Sequence, residues 1–249
     1  MPLINWQEFS RRPHIQRLPM HEQKRQFVFE NQMQQQRDMH LYHMINGPAG
    51  EDKVPGPSFS NTKSIALDGV DDYVDCGSAP FSSLSALSIS AWVKPSAYGS
   101  ASAESFVSTD SASPRGFYFG VYTSGRFRFS MSTNGTHLNS LDTGGLTVDL
   151  NTWQHVLVTW DKVNTKFYKN GVLIATKATS FANNQDFTTT NDLLIGARRS
   201  SAGFFDGNID EVSIYNVALT QADVDTIYGS GVPNDISSLS PLSWWRFEG

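Results

Sequence analysis

Cysteine is almost missing from this chain: Cys76 is the single one among 249 residues. An intrachain disulfide is excluded, and with it a small secreted scaffold held together by cross-links. Long apolar runs are missing as well. No stretch approaches the roughly 18 consecutive apolar residues that span a bilayer, and the mean hydropathy is −0.33, so a soluble chain without membrane insertion is expected. The first residues, Met1-Pro2-Leu3-Ile4-Asn5-Trp6-Gln7-Glu8, lack the basic-then-apolar order of a signal peptide. A basic excess is missing too. The formal net charge is −5, with seven Lys and Arg against six Asp and Glu in residues 1–58 and twelve against eighteen afterwards. That balance argues against nucleic acid as the main partner. His and Cys form no cluster with zinc spacing. His14, His21, His40 and His43 are scattered, and even His40 and His43, which could share a helix face, read as solvated.

What is present falls into two compositions. Residues 1–58 hold five of the six methionines, four of the six histidines and a glutamine run at Gln32, Gln34, Gln35 and Gln36, with prolines at 2, 13, 19, 48, 55 and 57. Between Met20 and Ile45 there is no Pro or Gly. Helix formers such as Glu22, Lys24, Arg25, Met33, Arg37 and Leu41 predict one helix over about residues 20–45, stopped by Gly47-Pro48. Its apolar residues (Phe27, Val28, Met33, Leu41, Met44 and Ile45) are too few for a core of their own. By composition alone the segment reads as a disordered leader. We read residues 1–58 instead as an arm that docks on a partner or on neighbouring copies.

From Ser60 onward the chain is rich in Ser, Thr and Gly, with short apolar runs between turns. Strands are expected at Ser64–Leu67, Tyr73–Asp75, Leu87–Val93, Phe117–Tyr122, Arg126–Ser130, Trp153–Trp160, Lys166–Lys169, Val172–Thr176, Leu193–Ile195 and Asn208–Tyr215. Hairpin turns fall at Thr123-Ser124-Gly125 and Asn170-Gly171, since Asn-Gly readily takes positive φ at both positions. Many short strands with turn signals between them imply an all-β sandwich or jelly roll. One helix interrupts the pattern: Thr220 is an N-cap, Asp223 favours the positive helix end, and Gly229 is the stop.

The motifs then fix the expectation further. Phe205-Asp206-Gly207-Asn208-Ile209-Asp210-Glu211-Val212-Ser213-Ile214-Tyr215-Asn216-Val217-Ala218-Leu219-Thr220 resembles the closing motif of laminin-G-like, concanavalin A-like lectin jelly rolls. The opening segment Ser64–Asp75, the strand Leu87–Pro95, the strand Asn151–Asp161, the hairpin Lys166–Ile174 and Leu194–Ala197 are similar to further family segments, in family order. The resemblance implies a two-sheet antiparallel jelly-roll sandwich over residues 59–249, behind an extended, partly helical arm. It departs from many extracellular relatives in having no disulfide. Leu242-Ser243-Trp244-Trp245-Arg246-Phe247-Glu248-Gly249 is similar to a family strand that often opens a module. Either it completes this sandwich or the natural protein continues beyond Gly249, and the interrupted phrase leans to the second.

Core and turn residues carry the resemblance, so function must come from elsewhere. Catalytic relatives of the fold carry paired acids as E-x-D-x-x-E, and glycoside cleavage needs two carboxylates flanking one bond. The sandwich has three glutamates, Glu104, Glu211 and Glu248, and none begins that pattern. Asp210 and Glu211 are adjacent, so on a regular strand they point to opposite faces and cannot act together. No enzyme is expected. Calcium, which wants six to eight oxygens, is the one candidate cofactor. Asp68 and Asp71, with Asp72 and Asp75 close by, would hold it together with Asp210; otherwise Asp68 and Asp71 shape a turn.

For sugar binding the candidates are exposed aromatics and polar loop residues: Arg198, Arg199, Phe204, Phe205, Tyr98 and Asn134. The loop Arg198–Phe205 is the foremost of these, unless a phenylalanine tucks inward. Trp92, Trp153 and Trp160 are assigned to the core, and Asn134-Gly135-Thr136 is read as a turn. A lectin-like domain usually faces the outside of a cell, yet export signal and disulfide are both missing. Synthesis in a host cytoplasm, assembly on a particle and release by lysis reconcile these facts. The expectation is therefore a virion structural protein of a phage, such as a capsid decoration, fibre or tail component. Its arm would bind other particle proteins, its sandwich would adhere to a surface glycan, and it would form a homo-oligomer. The alternative is a calcium-dependent carbohydrate-binding module of a larger bacterial surface or secreted protein.

Overall fold

The computed structural model describes residues 59–98, 103–123, 125–132, 134–136, 138–145, 147–178, 187–199 and 202–248. The expected arm and its helix lie outside them. Two antiparallel sheets face one another. One orders β1 (Ile65–Asp68), β16 (Asp206–Tyr215), β4 (Leu87–Pro95), β9 (Gln154–Trp160), β10 (Asn164–Lys169) and β11 (Val172–Ala178), with β17 (Ser243–Trp245) also on β16. The other orders β2 (Val74–Ser78), β13 (Asp192–Ile195), β5 (Glu104–Ser108), β6 (Phe117–Tyr122), β7 (Arg126–Met131) and β8 (Asn139–Asp142). Two short pairs complete the described strands: β3 (Ser83–Leu84) with β12 (Phe187–Thr188), and β14 (Ala197–Arg199) with β15 (Ala202–Phe204). This is the expected concanavalin A-like sandwich.

Alternation explains the layering. In β4, Leu87, Ile89, Ala91 and Val93 enter the core between the sheets, as do Val156, Val158 and Trp160 of β9. The second sheet answers with Phe106, Phe117, Phe119, Phe127 and Phe129, and Phe106 meets Phe119 and Phe205 edge-on at 5.5 and 5.2 Å. The outer face of the first sheet is covered too, by α1 (Gln221–Tyr228). Val224 and Ile227 of this helix pack on Leu157, Tyr168 and Tyr215. Polar residues of β4 buried beneath this layer are all partnered. Ser88 Oγ donates to the Val217 carbonyl (2.7 Å) and accepts from Leu219 N–H (3.0 Å), and Ser90 Oγ lies 2.8 Å from His155 Nε2.

The local signals place the turns. Asn170 and Gly171 take φ of 49° and 79°, joining β10 to β11. Thr220 and Asp223 cap α1 reciprocally, and Gly229 ends it in the left-handed region. β17 pairs with β16 (Val212 opposite Trp245, Ile214 opposite Ser243), so the closing phrase of the chain is a strand of this sandwich. β5 was missed in sequence because its Glu-Ser-Phe-Val-Ser reads as polar, although all five residues are buried.

Phe205 is fully buried against Phe106, which corrects its assignment to a ligand loop. Strand β15 ends one residue earlier, and Phe205 N–H then bonds the Gly196 carbonyl (2.8 Å), turning the ring inward. Phe205→Ala is expected to destabilise the fold by about 3–5 kcal/mol. Phe204→Ala, at a half-buried position beside Tyr73, is expected to cost clearly less. Urea unfolding of the two variants measures both.

Candidate functional site

The site begins with an irregularity in β16. Asp210 lies opposite Trp92 and Ser213 opposite Ser90, so two residues of β16, Glu211 and Val212, face the single Ala91 of β4. Glu211 is the extra one, with φ of 49°. A β-bulge of this kind breaks the alternation. Ile209 and Val212 both stay in the core, and Asp210 and Glu211 emerge on the same outer face. Asn61 Nδ2 donates to both, at 2.9 Å to Asp210 Oδ2 and 2.7 Å to Glu211 Oε1. The expectation that neighbouring carboxylates must point apart is thereby corrected.

On the far edge of β16 the bulge falls where two strands meet end to end, β1 reaching Ile209 and β17 starting at Val212. Residues of β17 and just beyond both strands close over the carboxylates. The Trp244 indole N–H donates to Glu211 Oε2, and Arg246 Nε lies 3.5 Å from Glu211 Oε1. Glu248 binds the entering chain: its Oε1 accepts from Thr62 N–H (2.5 Å) and Lys63 N–H (2.9 Å), and its Oε2 accepts from the Thr62 hydroxyl (2.9 Å). Phe59 stacks on Trp244 with centroids 6.1 Å apart, and the Arg246 guanidinium lies 4.4 Å from the Phe59 ring centre.

Beside this staple a cleft of about 290 Å³ is lined by Asn61, Thr62, Lys63, Ser64, Trp92, Trp153, Asp210, Gly231 and Pro233. Trp153 is 39% exposed there, which corrects its assignment to the core. β9 starts only at Gln154, and the preceding turn, with Asn151 at φ 57°, carries the indole outward. Trp160 is core as expected. Trp92 is buried but on the outer face, stacked on Tyr228 at 5.9 Å and beside His155 at 5.6 Å.

Burial pushes Asp210 up to about 7, with the Glu248 charge adding to it and the bonds from Asn61 and Glu211 N–H opposing. Burial and then the Asp210 charge push Glu211 up to about 8. Burial alone lowers His155 to about 3, so the ring behind the cleft stays neutral. Chemically the cleft offers a carboxyl group, an amide and an indole face, with the second carboxylate sealed behind it.

The candidates named from the sequence do not form one site. Arg198 and Arg199 gather on Asp110, whose side chain is fully buried (Arg198 Nε at 2.9 Å, Arg199 NH2 at 3.2 Å). Tyr98 is exposed beyond the end of β4. Asn134 shapes its turn by accepting from Thr136 N–H at 3.0 Å. Asp68, Asp71 and Asp72 bring carboxylate oxygens within 4.8 Å of one another and are the set that could take a calcium ion, although Asp68 Oδ1 already accepts from Val70 N–H (2.9 Å). Asp210 is not with them. Asp68 pairs with Asp206, and four residue steps of strand place Asp210 about 13 Å further along. Asn61, Lys63, Gly231 and Pro233 of the cleft were not foreseen; only the Asp-Glu pair itself was visible as a signal.

A family model for the concanavalin A-like lectin/glucanases superfamily matches residues 68–225. The chain belongs to this superfamily. No curated protein sequence matches it. Among solved structures it is similar to a heptameric SAP-like pentraxin of Limulus polyphemus (17% identity, 75% of this chain and 92% of the other, TM-score 0.52). It is also similar to domain 4 of the arabinanase AbnA of Geobacillus stearothermophilus, solved with arabinotriose (22% identity, 72% and 82%, TM-score 0.51). A third is the Ruminococcus gnavus sialidase module CBM40, bound to α2,3-sialyllactose (16% identity, 68% and 100%, TM-score 0.50). Other similar chains are longer, and this lectin-like chain spans 50% and 53% of two of them. These likenesses speak for the fold.

The titrations have opposite signs. Asp210 and Glu211 are raised from 3.8 and 4.5 to about 7 and about 8, so the folded state holds extra protons, and stability falls as pH rises from about 4.5 through 8. His155 is lowered from 6.5 to about 3, so stability is also lost as pH falls below 6.5. Unfolding free energies measured across this range are expected to pass through a maximum on the acid side of neutrality. Asp210→Asn should flatten the alkaline limb, and an unchanged slope in that variant would refute the assignment.

Proposed function

We propose that the sandwich is a non-enzymatic glycan-binding domain that takes one sugar ring in the cleft beside Trp153 and Asp210. The carrying observation is Trp153, a large indole 39% exposed at a cleft that also holds Asp210, Asn61 and Lys63. The electron-rich indole face suits the polarised C–H bonds of a pyranose, and carboxyl and amide groups suit its hydroxyls. At about 290 Å³ the cleft lies at the small end of ligand sites, roughly 300–1,000 Å³, which favours a single residue of a glycan. Solved neighbours with arabinotriose and with sialyllactose support a carbohydrate as the ligand class. Cleavage is disfavoured because it needs two carboxylates flanking the bond, whereas Asp210 lines the cleft and Glu211 is held behind it by Trp244 and Arg246.

The larger role we propose is that of a virion structural protein, a capsid decoration, fibre or tail component that carries this domain as its adhesive part and binds the particle through residues 1–58. The composition of that segment and the single cysteine support it. Homo-oligomerisation belongs to the same reading, and the alternative remains a calcium-dependent module of a bacterial surface or secreted protein. Calcium would enter at Asp68, Asp71 and Asp72.

On a glycan array the full chain is expected to bind, and Trp153→Ala to weaken binding by at least about 2 kcal/mol, on the order of thirtyfold, with the midpoint of thermal unfolding unchanged. Equal binding by the variant would remove the cleft from the proposal. Density-gradient fractionation of the native source, followed by peptide mass spectrometry, tests the particle. Co-sedimentation with DNA-filled shells at a fixed ratio is expected; free or envelope-bound protein would defeat the virion reading.

A further inference from the structure

We propose that Arg115, Arg198 and Arg199, gathered on Asp110, form a second binding site that takes the anionic group of an acidic carbohydrate, a carboxylate or a sulfate ester. That the anion is carried by a sugar rests on the glycan-binding reading above; the anion site itself does not.

The site lies on the second sheet, away from the cleft. Arg198 and Arg199 come from β14, Asp110 follows β5, and Arg115 precedes β6. Arg198 Nε and Arg199 NH2 reach Asp110 Oδ2 at 2.9 and 3.2 Å, and Arg115 Nε lies 3.0 Å from Oδ1. A guanidinium stays charged in a protein, so one carboxylate faces three positive charges, and among the described residues Asp110 is the one carboxylate in ion-pair contact with them. Burial first, then Arg199 and Arg198, lower the Arg115 pKa against Asp110. A clamp on the Asp110 loop needs one arginine. Three like charges held together are costly unless something negative joins them.

The donors are arranged before any ligand arrives. Asp110 N–H donates to Ser108 Oγ (2.8 Å), and the same hydroxyl reaches the Arg198 carbonyl (2.8 Å). The Arg198 guanidinium lies over the Tyr118 ring, 4.3 Å from its centre. Asp110 is sealed, its side chain 0% exposed, while Arg198, Arg115 and Arg199 keep 18, 21 and 28% of their side chains exposed. The carboxylate therefore serves as an internal anchor, holding Arg199 through both Nε and NH2 and Arg198 through Nε, and part of each arginine side chain stays open to solvent. Planar forks of this kind bind the paired oxygens of a carboxylate or sulfate with two parallel bonds, and their fixed placement lowers the ordering cost of binding. An extended polyanion is disfavoured by the net charge of −5, which leaves a single anionic group as the ligand.

The full chain is titrated with D-glucuronic acid, sodium sulfate and D-glucose, against chloride at matched ionic strength, while the arginine Nε–Hε signals are followed by NMR. Glucuronate and sulfate are expected to shift the signals of Arg115, Arg198 and Arg199, and glucose to leave them in place. Arg199→Gln and, independently, Arg115→Gln should weaken glucuronate about tenfold, the loss of roughly one charged hydrogen bond. Trp153→Ala should leave it within about twofold, because separated sites act independently. No shift with either anion, or full affinity in folded Arg199→Gln and Arg115→Gln, overturns the site. Sulfate binding without glucuronate binding overturns the sugar assignment. Failure of Trp153→Ala to change binding of neutral glycans would count against the cleft alone and leave these titrations standing.

Discussion

An extra residue in β16 turns two neighbouring carboxylates to the same side of a sheet, and both then have to be satisfied away from water. The asparagine of the entering chain, the indole of Trp244 and the guanidinium of Arg246 meet that demand. None of these groups belongs to the sheet neighbours that cause the problem. Leaving a buried carboxylate unpaired costs several kcal/mol, so the first described residues and the closing phrase are drawn to the same point. The cleft forms as a by-product: Asn61 to Ser64 become its wall, and Asp210 becomes the acid at its base.

The two sites differ in how they handle burial of charge. At the bulge, carboxylates are desolvated and shift toward their neutral forms. At Asp110, a carboxylate is equally hidden but surrounded by cations that cannot give up their protons. The first arrangement suits a ligand of hydroxyls, which can donate to or accept from a carboxyl near its titration point. The second suits a ligand that brings its own negative charge.

Much of the fold could be read in the chain because strand alternation and turn chemistry are local. Leu87 to Val93, the Asn170-Gly171 turn and the Thr220 cap each announce themselves within a few residues. β5 did not, since burial on both faces removes alternation, and the Ser108 hydroxyl is satisfied by the distant carbonyls of Phe117 and Arg198. The sites were less legible for a related reason. The bulge is decided by which residues of β4 lie opposite, and Asp110 lies 88 residues from Arg198 along the chain. Trp153 misled because it adjoins a strand without belonging to it. Arg198 and Arg199 stood out in sequence as part of a polar loop, but their anchor was not visible.

Phe59 and Glu248 lie at one corner of the sandwich, and the chain between Asn61 and Ser64 is at once the way in and the rim of the cleft. A pull applied through the upstream chain, with the domain held at its cleft as proposed, would therefore arrive at the rim first. It loads the contacts of Thr62 and Lys63 with Glu248, and of Asn61 with the carboxylate pair, before it reaches the ladder between β1 and β16. In the proposed reading, grip and tether would be mechanically in series across a few hydrogen bonds, and tension on the tether would be felt where the sugar would sit.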